Sequence, residues 1–69
     1  MIDVPVQRLE LGDVILIHLA GEERAVEAKV VREIERTSAS VRVTLRLDRG
    51  EDLVKEWAVG ELVTVVRGP

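Results

Sequence analysis

Apolar positions along the chain alternate with polar ones in short runs, and turn residues separate the runs. Ile2, Val4 and Val6 alternate with Asp3 and Gln7. Pro5 makes this arm, residues 1–11, an edge or irregular strand, because proline cannot donate to a ladder. Gly12-Asp13 is a turn signal. Val14 to Leu19 reads as a strand from its β-branching and length. Gly21-Glu22-Glu23 is the next loop. Val41, Val43, Leu45 and Leu47 alternate with Arg42, Thr44, Arg46 and Asp48, which predicts a strand with one wet face. Asp48-Arg49-Gly50-Glu51 is a hairpin turn whose glycine suits a positive φ. Asp52 to Ala58 is a further strand. Val59-Gly60-Glu61 is a tight connection with room for one turn of 3₁₀ helix. Leu62 to Val66 is the last strand, and Arg67-Gly68-Pro69 is a tail.

The stretch from Glu22 to Thr37 fits two periods. As a helix it places Val26, Val30 and Ile34 on one face, with glutamates at its start and arginines at its end. As a strand it places Val26, Ala28, Val30 and Ile34 inward and Glu27, Lys29, Glu33 and Glu35 outward, with a bulge or bend at Val30-Val31. Folding it onto the next segment about Ser38-Ala39 decides between them. Glu35 then faces Arg42 and Lys29 faces Asp48, while Ile34 meets Val43 and Val30 meets Leu47. Opposed charges on a ladder are worth about 0.2–1 kcal/mol each. The expected fold is therefore all-β, a small barrel of five or six antiparallel strands over residues 1–69. The alternative is α+β, with a helix over residues 22–36.

Val14-Ile15-Leu16-Ile17 is apolar on both alternations, so one barrel face cannot account for it. Three covers for its second face are available. The arm folds over it through Ile2, Val4 and Val6, strong bending buries both sides, or a second chain packs there.

Composition narrows the function. The chain has 69 residues and no cysteine, so neither a disulfide nor a thiolate metal site staples its small core. Aliphatic packing must suffice, and 46% of the residues are hydrophobic. The net charge of -3, with acids and bases interspersed, argues against wholesale phosphate binding. No apolar run is long enough to span a bilayer and no signal-peptide pattern opens the chain. With the missing cysteines, this gives a cytoplasmic expectation. Arginine far outnumbers lysine, as in GC-rich bacterial genomes.

The turns and strands bring a resemblance. "LGDVILI … AKVVREIER … VRVTLRLDRGED" resembles small bacterial Tudor-like and KOW-like domains of the SH3-like barrel class. The entry matches at Gly12, Asp13 and Ile15, and the third strand at Val43, Leu45, Asp48 and Gly50. Leu45 stands where those domains carry an aromatic, and charged and small residues replace the glycine before the second strand. The resemblance implies an SH3-like barrel that contacts proteins or nucleic acids.

Catalytic chemistry is sparse. His18 is the single histidine, no serine or threonine sits in a nucleophile motif, and the glycines form no phosphate loop. The expectation is no enzyme, no catalytic residue, no metal and no cofactor. His18 is expected to be partly buried and hydrogen-bonded at a strand end. Trp57, the only aromatic, is too little for a methyl-lysine cage, a proline-rich-peptide groove or a base-stacking platform. It reads as a core-rim residue or an interface anchor. Arg42, Arg46 and Lys29 form a candidate basic strip laced with Glu33 and Glu35, and Leu16 and Ile17 are the candidate contact residues of the two-sided strand. The function expected is a protein-interaction module. The alternatives are a nucleic-acid-binding domain and a structural homodimer.

Overall fold

The computed structural model describes residues 1–32 and 34–69. Seven antiparallel strands form one curled sheet, a half-barrel consistent with an SH3-like fold. They are β1 (Ile2–Pro5), β2 (Val14–Ile17), β3 (Val26–Val30), β4 (Glu35–Arg36), β5 (Ser40–Leu47), β6 (Asp52–Ala58) and β7 (Leu62–Arg67). No described residue is α-helical. The one helical turn is 3₁₀, at Val6–Arg8. It lies in the arm and not at Val59–Glu61, where Glu61 N donates to Ala58 O in a simple turn.

The strands run in the order β1, β7, β2, β3, β5, with β4 continuing β3 along β5 and β6 on the far side of β5. Counted with β3 and β4 as one bent strand, the sheet has six strands, within the expected five or six. The helix alternative for residues 22–36 fails because β3 pairs on both edges, to β2 and to β5. Those ladders satisfy its backbone and bury Ala28 and Val30.

The predicted pairing of β4 is found, with Glu35 opposite Arg42 and an ion pair of 3.5 Å. The predicted pairing of β3 is displaced by two residues. Lys29 faces Arg46 instead of Asp48, and Val30 faces Leu45 instead of Leu47. The bend explains the shift. From Val30 to Glu35 the chain takes five steps, while β5 takes three between their partners Leu45 and Arg42. Two extra residues therefore sit on the bent strand, where a bulge was expected.

The inner face carries the core. Ile15 and Ile17 of β2, Val41, Val43 and Leu45 of β5 and Val63 of β7 are all buried. Two arm residues join them, Val6 and Leu9, both fully buried. The arm is held by backbone and side chain together. Val6 N donates to Glu61 O at 2.8 Å, and the Arg36 guanidinium donates to Leu9 O at 2.6 Å and to Gln7 O at 3.1 Å.

The second face of β2 is covered at Val14 and half covered at Leu16, though not by the arm, which pairs with β7 at the sheet edge. Val14 stands between Lys29 on β3 and Arg67 on β7. Leu16 stands between Glu27 and Thr64. Arg67 reaches Glu27 at 3.1 Å, so this ion pair runs diagonally across β2. The aliphatic stems of these long side chains shield the strand while their charged ends stay in water. Val14 is left 8% exposed.

The Gly12-Asp13 turn locks the entry to β2. Gly12 has φ +93°, and its backbone lies so close to Pro69 that a Cβ would sit 2.7 Å from the proline Cβ. Asp13, the one buried charged residue among those described, accepts from Glu10 N at 2.9 Å.

Candidate interaction surface

Two surfaces of the half-barrel carry the predicted residues. The first is on the outer face. Register places Arg67, Val14, Lys29, Arg46 and Asp52 in one row across β7, β2, β3, β5 and β6. Adjacent strands are spaced by about 4.8 Å, so Lys29 and Arg46 are direct neighbours of like charge. Among the described residues Lys29 has no ion-pair partner. Arg46 binds Asp52 at 2.8 Å, and Arg32 reaches the same carboxylate at 3.3 Å. Arg42 lies on the same face of β5 but is taken up by Glu35 and Glu56, at 3.5 and 3.9 Å. Lys29 and Arg46 thus stand side by side with Arg67 in the same row, while Arg32, Arg42, Arg46 and Arg67 each hold a carboxylate and Lys29 alone of these cations has none among the described residues. The predicted contribution of Glu33 lies outside the described residues. Arg67 escaped the sequence reading because it was placed in a tail, one residue beyond the expected end of the last strand.

The Arg46 hydrogen bond holds the Asp52 carboxyl below its ordinary value, helped by the charges of Arg46 and Arg32 and opposed by partial desolvation. The Arg46 guanidinium is correspondingly raised. A carboxyl whose folded pKa is depressed stabilises the fold above its unfolded pKa. That contribution is lost as pH falls through the folded value. Asp52→Asn is therefore expected to flatten the acid limb of the stability-against-pH curve and to leave its alkaline side unchanged in shape. Thermal melts from pH 7 down to pH 2 check this, and an unchanged acid limb would contradict it.

The second surface is an open cleft of about 400 Å³ at one end of the half-barrel. The C-terminal end of β2 supplies Leu16 and, just beyond it, His18. The start of β7 supplies Leu62 and Thr64, and β6 supplies Lys55 and Trp57. Trp57 is half-buried and packs against the core, as a rim residue does. Lys55 Nζ lies 5.8 Å from the centre of the Trp57 ring, within reach of a cation–π contact. No described residue lining the cleft is acidic, and Lys55 has no ion-pair partner among the described residues. His18, expected to be partly buried and hydrogen-bonded, is exposed, because β2 ends one residue before it.

Leu16 and Ile17 both line the cleft, from opposite faces of β2. Ile17 is a core residue at 4% exposure, while Leu16 points to the outer face. Two exposed apolar residues were missed: Leu62, 63% exposed, at the cleft, and Val54, 61% exposed, on the face of β6 opposite Lys55 and Trp57. The alternation of β6 signals Val54, since it is the apolar member of an otherwise polar face made with Asp52 and Glu56.

Among the described residues no three histidine, aspartate or glutamate side chains are grouped to hold a metal ion, and no helix is long and apolar enough to cross a membrane. No protein-family model, curated protein or solved structure matches the chain.

Proposed function

We propose that the chain is a non-enzymatic protein-interaction module that seats a segment of its partner in the cleft beside Trp57. One observation carries the reading. The domain has a net charge of -3, yet its cleft is bordered by Lys55, His18 and no described carboxylate. A half-buried tryptophan beside the exposed Leu62 suits an interface anchor, and the cation suits an acidic group on the partner. A bacterial cytoplasm is the setting that fits the cysteine-free, arginine-rich composition. The likeness to Tudor-like and KOW-like domains supports a binding role.

Selection from a random displayed peptide library tests the reading. Enriched peptides are expected to shift the fluorescence of Trp57 and to lose about tenfold or more in affinity for Leu62→Glu, a surface change at the cleft. Failure to enrich any peptide, or equal binding to Leu62→Glu, would count against it.

A second reading rests on the outer row of Lys29, Arg46 and Arg67, where two cations stand side by side. It makes this face a contact for a nucleic-acid backbone. Binding would then weaken steeply with salt and fall further in Lys29→Glu. Flat titrations with DNA and RNA at low salt would remove it.

A further inference from the structure

The two edges of the sheet are not equivalent. β1 forms one edge and β6 the other. On β1, Val6 N bonds to Glu61 O, which sets the alternation of the ladder. Val4 and Ile2 then bond toward β7, and Asp3 and Pro5 present their backbone to the outside. Proline has no N–H, so this edge is short and blunted.

β6 is different. Leu47 N donates to Glu51 O at 2.8 Å, and Val59 N donates to Ala39 O at 2.9 Å. With the register of Val43 opposite Lys55, these bonds place residues 53, 55 and 57 in the hydrogen-bonded pairs with β5. Residues 52, 54, 56 and 58 therefore aim their N–H and C=O groups away from β5. Ala58 is satisfied locally, its N–H by Glu61 Oε2 at 2.7 Å and its C=O by Glu61 N. Val54 and Glu56 have no such partner among the described residues. The side chains of Leu53, Lys55 and Trp57 turn from this open edge toward the barrel interior and the cleft.

We infer that the free edge of β6 accepts an extended partner segment as an additional strand, whose inward residues are apolar, acidic and apolar, the acidic one facing Lys55. This rests on the cleft being a protein-binding site and specifies how it is used. Backbone pairing at Val54 and Glu56 gives the register. Inward residues at every second position meet Leu53, Lys55 and Trp57, and the acid-free surroundings leave Lys55 available to a carboxylate. An inward-pointing lysine on an edge strand also discourages indiscriminate pairing.

A second copy of the chain fits this edge poorly. A two-fold axis pairs β6 with itself in registers that match like positions on the same face. The registers that pair five or more residues set Lys55 against Lys55, Glu56 against Glu56, or Asp52 against Glu56.

The probe is the capped peptide Thr-Val-Thr-Glu-Thr-Val-Thr, which reads alike in both directions, titrated at millimolar concentration and followed by amide NMR and hydrogen exchange. The amides of Val54 and Glu56 are expected to shift most and to exchange more slowly. Val54→Pro removes one outward N–H without touching the β5 ladder, so it should stay folded and lose about tenfold or more in affinity, whereas Val54→Thr should bind like the wild type. The peptide with lysine in place of glutamate should lose a similar factor. Shifts confined to Trp57 and its neighbours, with the Val54 and Glu56 amides unmoved, would overturn strand addition while leaving the cleft as a binding site. No response to this probe, with library peptides binding in the cleft, would overturn it equally. Concentration-dependent protection of Val54 and Glu56 in the chain alone would make a second copy the occupant and overturn it too.

Discussion

Leu9→Ala is expected to cost about 2–5 kcal/mol, as much as any leucine truncation in the barrel itself. Leu9 lies in the arm, outside every strand, yet it is fully buried and its carbonyl is held by Arg36. A domain of 69 residues has roughly 3–10 kcal/mol of stability in total. The variant is therefore expected to lose a large fraction of the domain's stability. Urea titration followed by the fluorescence of Trp57 measures it. Leu11→Ala, two residues on and 54% exposed, is the control and should change stability by about 0.5 kcal/mol or less. A loss below about 1 kcal/mol for Leu9→Ala would mean that the cavity collapses, or that the arm is not part of the core.

Ile17→Lys is expected to abolish folding, and Leu16→Lys to be tolerated. The two positions are adjacent, equally apolar and on one strand, so only the face differs. Ile17 is 4% exposed among core side chains, and the cleft it borders offers an ammonium group no described carboxylate. That penalty, added to the lost apolar packing, exceeds the stability available. Leu16 faces outward between Thr64 and Glu27. A lysine there meets the Glu27 carboxylate and competes with Arg67 for it, at a cost of about 1–2 kcal/mol including the lost apolar contact. Circular dichroism and one-dimensional NMR separate the outcomes. Two folded variants, or two unfolded ones, would refute the assignment of the faces.

The strand plan was readable from alternation and turn signals wherever one face is wet. β5 matches the predicted run because every second residue is polar, and β6 matches Asp52–Ala58 because the Asp48–Glu51 turn and the Val59–Glu61 connection bound it. Leu9 was not readable, because a residue just past a 3₁₀ turn and before the next strand belongs to no period. The β3 register was missed for a related reason. Charge matching counts positions from the Ser38-Ala39 turn outward, and two extra residues between Val30 and Glu35 change the count without changing the charges. The cover over β2 was beyond a one-dimensional reading as well. It depends on Arg67 and Glu27, forty positions apart, meeting across a strand that lies between them. Of the candidate site, Trp57 was visible as the lone aromatic. The cleft beside it was not, since it is assembled from three strands brought together by the curl of the sheet.

The pairing of β1 with β7 sets Ile2 beside Val65. It also fixes an order of events in folding. The β5–β6 hairpin closes a three-residue loop from Leu47 to Glu51, which costs little chain entropy and forms on the microsecond scale. The β1–β7 ladder closes a loop of nearly the whole chain, and such distant pairings slow folding toward the millisecond-to-second range. The hairpin is thus the natural nucleus and the arm the last piece to dock. Until it docks, the places that Val6 and Leu9 will fill stand open to solvent, so the interval between hairpin and arm is when the chain is most exposed to proteolysis and self-association.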